Sequence, residues 1–227
     1  MKTKEIAKMI DHALLNPTLT TDQLDQGIQT AIQYDVATVC IMPFYLTRCM
    51  ELLKASDVQA CTTIGFPHGA NTTAAKAAEA KQSLLDGARE IDFVVNINQV
   101  LSGNWNYVRD EIRSVIEIIH DQGKKAKVIF ENCYLNDPQK IRLCEICSEL
   151  NADWVKTSTG FGRAGATIED VKLMRKHALP GVQIKASGGI RTLASLLSFH
   201  EAGATRIGCS AIADILEESR RSQLSKR

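Results

Sequence analysis

Short runs rich in Val, Ile, Thr and Cys alternate along the whole chain with longer segments of helical apolar spacing, and no single motif constrains the fold as much. Strands are predicted at Ile10–Leu14, Ala37–Ile41, Gln59–Ile64, Glu90–Asn96, Ala126–Glu131, Trp154–Lys156, Val182–Lys185 and Thr205–Gly208. Between and after them the spacing predicts helices at Thr21–Tyr34, Pro43–Ala55, Thr72–Asp86, Asn106–Gln122, Pro138–Leu150, Ile168–His177, Thr192–His200 and Ser210–Ser219. Asn71-Thr72-Thr73, Asp137-Pro138 and Arg191-Thr192 supply N-cap or first-turn residues, and Gly87, Gly123 and Gly203 follow helix ends. Strands separated by helices cannot form hairpins, so they lie parallel and are joined by right-handed crossovers. Eight such units in 227 residues leave about 28 residues each, which suits a compact α/β fold of the (β/α)8 TIM-barrel type; an open doubly wound sheet is the competing layout. No Pro/Gly/Ser-rich linker breaks the alternation, so residues 1–227 are predicted to form a single barrel domain.

Charge excludes several classes of partner. Lys plus Arg number 27 against 26 Asp plus Glu, leaving a formal +1, so no strong overall field draws the chain to nucleic acid or an anionic membrane. No apolar run approaches the ~20 residues of a spanning helix. The N-terminus, Met1-Lys-Thr-Lys-Glu-Ile-Ala-Lys, carries charge where a signal peptide needs an apolar stretch, so a cytoplasmic protein is expected. Seven scattered cysteines, an odd number, fit free thiols in a reducing compartment. Cys144 and Cys147 form the one metal-like pair, but they lack a second pair and fall on one face of a predicted helix, where small packing residues are expected. The five histidines show no metal-hydrolase spacing, and no metal site is predicted.

Charged residues at the C-terminal ends of buried parallel strands either pair in the core or face the active-site mouth. Asp92 ends the run Glu90-Ile-Asp on the fourth predicted strand, and Lys156 and Lys185 end the sixth and seventh. Neighbouring strands lie about 4.8 Å apart, so two lysine ammonium groups about 5 Å apart would repel by roughly 3 kcal/mol at an effective dielectric of 20. Such repulsion favours a neutral amine, the form that attacks an aldehyde to make a Schiff base. Asp92, expected across the mouth, can shuttle protons directly or through water.

An anion site is expected after strands seven and eight, where Ser187-Gly188-Gly189 and Gly208-Cys209-Ser210 offer backbone N–H groups and helix N-termini. Gly160-Phe-Gly162-Arg-Ala-Gly165 matches the dinucleotide fingerprint, but it follows the sixth strand, and the next strand ends in Lys185-Ala-Ser187 where a ribose-binding acid belongs. This loop is assigned to the substrate phosphate or to lid duty instead.

Several segments together resemble one family. Asp11-His-Ala-Leu-Leu15, Gly65-Phe-Pro-His-Gly69, Glu90-Ile-Asp-Phe-Val-Val-Asn96, Lys127-Val-Ile-Phe-Glu131, Trp154-Val-Lys-Thr-Ser-Thr-Gly-Phe-Gly162, Val182-Gln-Ile-Lys-Ala-Ser-Gly-Gly-Ile-Arg191 and Arg206-Ile-Gly208 look like segments of the deoxyribose-phosphate aldolases. The resemblance implies a class I aldolase that interconverts 2-deoxy-D-ribose 5-phosphate with D-glyceraldehyde 3-phosphate and acetaldehyde, with no cofactor. It implies Lys156 as the Schiff-base lysine, Asp92 as a proton donor and acceptor, Lys185 as a second proton-transfer residue, and Asp11 near the substrate hydroxyls. Thr159, Gly160, Gly188, Gly189, Gly208 and Ser210 would contact the phosphosugar, and a homodimer is an allowed assembly. Ala13 stands where the family has a threonine, Met42 where an asparagine is common, and Cys209 and Ala211 where hydroxyls are frequent. The chain ends at Lys226-Arg227, where some members carry a tyrosine-bearing tail. Two other readings stay open from the residues alone, a lysine-dependent aldolase or transaldolase with another donor and a non-catalytic phosphosugar-binding barrel.

Overall fold

Every predicted strand forms in a computed structural model that describes residues 1–224, and nearly all strand residues are buried, as strands covered on both faces must be. In chain order the elements are α1 (Thr3–Ala7), β1 (Ile10–Leu14), α2 (Thr21–Tyr34), β2 (Thr38–Ile41), α3 (Leu46–Leu53), β3 (Gln59–Ile64), α4 (Thr73–Leu85), β4 (Glu90–Val94), α5 (Ile97–Leu101) and α6 (Trp105–His120). There follow β5 (Lys125–Ile129), α7 (Asp137–Glu149), β6 (Trp154–Lys156), α8 (Ile168–His177), β7 (Gln183–Ser187), α9 (Leu193–Glu201), β8 (Arg206–Cys209) and α10 (Ile212–Leu224). The strands run parallel in sequence order and close when β8 pairs with β1, Ile207 opposite Ile10. The open sheet is thereby excluded, and the architecture is a (β/α)8 barrel.

Capping explains where most helices begin. Thr20 accepts the Gln23 N–H while the Gln23 side chain returns to the Thr20 N–H, closing a capping box. Thr72, Thr167 and Thr192 cap α4, α8 and α9 in the simpler way. The α7 cap is Asn136, one residue before the predicted pair, with Pro138 in the first turn where its missing N–H costs nothing. Helix α6 buries Val108, Ile112, Val115 and Ile119 against the barrel, the stripe that its apolar spacing predicts.

The boundaries differ from expectation where a side chain intervenes. Strand β4 stops at Val94 because Asn96 turns to cap α5, its Oδ1 accepting the Gln99 N–H. The first part of the helix predicted from Pro43 is a 3-10 turn, Pro43–Tyr45. Strands β7 and β8 run on to Ser187 and Cys209 because Ser187 pairs with Gly208. Helices α1 and α5 have five residues each, too short for a periodic signal. Cys144 and Cys147 are buried packing residues, and burial pushes the Cys144 thiol up to about 12. Among the described residues no helix is long and apolar enough to cross a membrane. The chain end at Lys226-Arg227 lies outside the described residues.

Candidate active site

Strand alternation fills the barrel interior with charge. On β4, Glu90 and Asp92 point inward while Ile91 and Phe93 pack outward under the helices, and Lys127, Lys156, Lys185, Arg206 and Asp11 enter from their own strands. The centre of the network is Asp92, 0% exposed. Its Oδ2 accepts from Lys156 Nζ and from Lys185 Nζ, each at 2.7 Å. Its Oδ1 accepts from Lys127 Nζ at 2.7 Å and from the Cys61 thiol at 3.2 Å. Lys127 also reaches Glu90 at 2.5 Å and Asp11 at 3.5 Å, while Lys185 is paired closely with Asp11. Arg206 bridges Glu90 with both of its terminal nitrogens and lies over the Trp154 ring, 4.8 Å from its centroid.

Lys156 and Lys185 are register partners on β6 and β7, as their strand-end positions predicted. The expected repulsion between them is not what the structure holds, however. The Asp92 carboxylate lies between the two ammonium groups and touches both, instead of facing them across the mouth. Burial opposes the charge on Lys185, but Asp11 and Asp92 more than offset it, so its proton is held more tightly than an ordinary lysine's. Burial likewise opposes the charge on Asp92, and Lys127, Lys156 and Lys185 overcome it, holding the carboxyl well below the usual range. Asp11 is lowered in the same way by Lys127, Lys185 and Arg206. The result is two ionised carboxylates and firmly protonated Lys127 and Lys185. Lys156 makes one carboxylate contact, shared with Lys185, so it leaves the network at the smallest loss of ion pairs.

Above this network a cavity of about 410 Å³ opens at the C-terminal ends of the strands. Of the residues predicted from sequence, Asp11, Lys156, Thr159, Gly160, Lys185, Gly188, Gly189, Gly208 and Ser210 all line it. Asp92 sits just beneath, buried, and reaches it through the lysines. Two glycines have steric reasons to be there. A Cβ on Gly208 would stand 2.8 Å from Ser187 Cβ and 3.4 Å from Lys185 Cε, so any side chain would displace the lysine stem. A Cβ on Gly165 would lie 2.2 Å from the Gly188 carbonyl oxygen, so the loop after β6 rests directly on the loop after β7. The Thr159 hydroxyl donates to Glu131 and accepts from Phe161 N–H at 3.0 Å, which engages it with the protein. Cys209 is buried, and burial pushes its thiol up to about 12, which leaves Ser210 as the hydroxyl of its loop.

Sequence reasoning missed Lys127, Glu90, Arg206, Cys61 and Glu131 as parts of this site. The available signal was the charge at alternate positions inside β4 and β5, Glu90 with Asp92 and Lys125 with Lys127, which a buried parallel strand tolerates only when paired. The thiols and carboxylates of Cys40, Cys61 and Asp92, and of Asp11, Cys61 and Glu90, come close enough to suggest metal ligands. Lys127 Nζ already stands among them, so an ammonium supplies the positive charge that these groups need.

The profile of the DeoC/LacD family aldolases matches residues 5–216. The chain belongs to this family. It is similar to the deoxyribose-phosphate aldolase of Rhodopirellula baltica, with 59% identity over 217 residues, 96% of this chain and 90% of the relative. With the deoxyribose-phosphate aldolase of Caldanaerobacter subterraneus the identity is 49% over 214 residues, 94% of this chain and 93% of the relative. Among solved structures, the deoxyribose phosphate aldolase of Aeropyrum pernix, described as a unique tetramer, superposes with a TM-score of 0.90 at 30% identity, covering 96% of this chain and 92% of that one. The family's aldolase chemistry thus meets a lysine pair, a carboxylate and a glycine-lined cavity on one barrel face.

Proposed function

We propose that this aldolase reversibly cleaves 2-deoxy-D-ribose 5-phosphate to D-glyceraldehyde 3-phosphate and acetaldehyde through a Schiff base on Lys156, acting as one barrel unit over residues 1–227. The observation that carries the reading is the shared Asp92 oxygen, which leaves Lys156 at the cavity floor with a single carboxylate contact beside a firmly cationic Lys185. The names of the relatives support the choice of substrate.

In the cleavage direction Lys156 leaves its one ion pair and gives its proton to solvent in the cavity. The neutral amine adds to the C1 aldehyde of the open-chain sugar, giving a carbinolamine. Lys185 donates a proton to the departing hydroxyl, which leaves as water, and the resulting iminium is the electron sink. The Asp92 carboxylate, directly or through a water, removes the C3 hydroxyl proton. The C3–O electrons form the aldehyde of glyceraldehyde 3-phosphate, the C2–C3 bond breaks, and its electron pair moves into the iminium to give an enamine. The proton taken up by Asp92 or its water passes to C2, and water adds to the resulting iminium. Collapse of that carbinolamine releases acetaldehyde, frees the Lys156 amine and returns a proton to Lys185. Gly188, Gly189, Gly208 and Ser210 take the phosphate, where N–H groups and the start of α10 favour an anion. Asp11, Thr159 and Gly160 border the sugar. This reading extends to action in the cytoplasm, in keeping with the unpaired cysteines, and to assembly as a homodimer, which light scattering on the purified protein measures.

Acetaldehyde with borohydride tests the chemistry. Reduction of the iminium is expected to leave an ethyl group on Lys156 alone, located by peptide mapping, and deoxyribose 5-phosphate is expected to release glyceraldehyde 3-phosphate. An adduct confined to Lys185 reverses the two lysine roles. Trapping without cleavage of the phosphosugar points to a lysine-dependent aldolase with another donor, and no trapping at all returns the non-catalytic barrel.

A further inference from the structure

Strand β5 ends at Ile129, yet its hydrogen bonding to the next strand continues in an irregular way. Phe130 N–H donates to the Lys156 carbonyl at 3.0 Å and Asn132 N–H to the Thr157 carbonyl at 2.9 Å. Two residues thus advance against one, which makes Glu131 the extra residue of a β-bulge. Its backbone takes the left-handed conformation, φ 58° and ψ 60°, which side-chain-bearing residues avoid unless their surroundings enforce it. Its side chain is nearly fully buried.

The bulge aims this carboxylate at the loop that follows the Schiff-base strand. Glu131 Oε1 and Oε2 accept from Thr159 N–H at 3.2 and 3.3 Å, and Oε2 also accepts the Thr159 hydroxyl proton. The same turn holds the loop further along. The Cys133 carbonyl accepts from Arg163 Nε at 2.7 Å, and the Arg163 guanidinium lies 5.5 Å from the Tyr134 ring centroid. Gly162 packs so closely that a Cβ there would stand 2.9 Å from Cys133 Sγ and 3.0 Å from Glu131 Cδ. Nothing in the proposed chemistry uses Glu131, and a strained, buried acid is not needed merely to end a strand.

We propose that Glu131 is a positioning residue for the phosphosugar: by taking both donors of Thr159 it fixes the Thr159–Phe161 segment as a wall of the substrate cavity. Both Thr159 donors converge on this carboxylate, with Oε2 within reach of each. While burial raises the Glu131 carboxyl, these two hydrogen bonds favour its charged form, which accepts them best. A glutamine keeps the size but removes the charge and replaces one accepting oxygen with an N–H donor, so the hold on Thr159 weakens while the strand beneath stays in place. The role acts through the loop and not on the reacting atoms. It rests on the aldolase reading of Lys156.

Glu131→Gln tests it through two readouts on the same protein. Acetaldehyde trapping on Lys156 asks only for a small aldehyde and an intact lysine, and it is expected to proceed at the wild-type rate. Cleavage of deoxyribose 5-phosphate needs the cavity wall, and kcat/KM is expected to fall at least tenfold, chiefly through KM. Thr159→Val attacks the same contact from the other side and should give a similar loss, and the double variant should lose little more than either single one, since the two share an interaction. Glu131→Asp, ionised but shorter, should recover part of the loss. An unchanged KM in Glu131→Gln overturns the proposal, as does an equal loss of trapping and cleavage, which would mean that the residue supports Lys156 itself. If Glu131→Gln fails to fold, Thr159→Val decides, and a wild-type KM there overturns the proposal. Absence of trapping in the wild type is a different outcome, because it removes the aldolase reading before Glu131 is altered.

Discussion

A charge placed at Gly189 should separate phosphate binding from carbon–carbon bond cleavage. Gly189 lies on the cavity rim with φ +82°, and a Cβ built on it meets no atom within 4 Å, so Gly189→Glu has room to project its carboxylate into the cavity of about 410 Å³. A carboxylate about 6 Å from one phosphate charge at an effective dielectric of ~20 repels it by roughly 2.8 kcal/mol, and a dianion doubles this to about 5.5 kcal/mol. Solvent and salt at an open rim halve that figure or more, leaving roughly 2–3 kcal/mol, about thirty- to a hundred-and-fiftyfold in kcat/KM. The left-handed backbone adds about 1–2 kcal/mol of conformational cost for any L side chain, which Gly189→Ala carries without the charge. The assay is kcat/KM for deoxyribose 5-phosphate and for unphosphorylated deoxyribose in wild type and both variants. The ratio of the two constants should collapse in Gly189→Glu and stay near wild type in Gly189→Ala. Equal losses on both substrates, or an alanine variant as selective against the phosphate as the glutamate, would refute the placement of the phosphate on this loop.

Two further outcomes follow from buried charges. Lys76 and Glu111 form a fully buried pair at 2.8 Å that also ties down the end of β4, Lys76 donating to the Val94 carbonyl and Glu111 accepting the Asn96 N–H. Burial pushes Lys76 down and Glu111 up, each against the pull of its partner. Glu111→Met or Lys76→Met alone should therefore cost about 3–5 kcal/mol, seen as a fall in Tm of roughly 6–20 °C, and the double methionine variant should regain at least half of it. Singles within about 1 kcal/mol of wild type by urea unfolding would show that the pair is incidental. Because Asp92 is held below its unfolded value of 3.8, its contribution to stability is present above that pH and is lost as the pH falls through the lower folded value. Wild-type unfolding free energy should then drop more steeply than that of Asp92→Asn as the pH falls below 3.8, and equal slopes would contradict the depressed value.

The cavity residues were largely legible because their signals are local. Lys156 ends β6, Lys185 lies two residues before the end of β7, and Gly188, Gly189 and Gly208 lie at or just past the ends of β7 and β8, so topology alone sends them to one mouth. Lys127 was not legible, since a lysine two residues before the end of β5 reads equally well as solvent-facing until the inward alternation is known. Glu131 was hidden differently. Its role depends on an irregular step between β5 and β6 that no periodicity announces. The balance of charge around the lysine pair was misjudged for a related reason, because Asp92 sits two strands away from Lys156 and its reach into the space between the ammonium groups depends on the barrel's curvature.

The sequence by itself determined the repeating strand and helix units, their parallel sense, their caps and the end of the barrel at which the chemistry gathers. Burial period, cap chemistry and crossover length are properties of neighbours along the chain, and they survive without knowledge of distant contacts. Only the tertiary structure decided which charges share a proton environment. Asp11 and Lys185 stand 174 residues apart and pair because β8 closes on β1, and Asp92 meets Lys185 across 93 residues. Electrostatic energy falls with distance and rises with burial, and closure of the barrel sets both quantities at once.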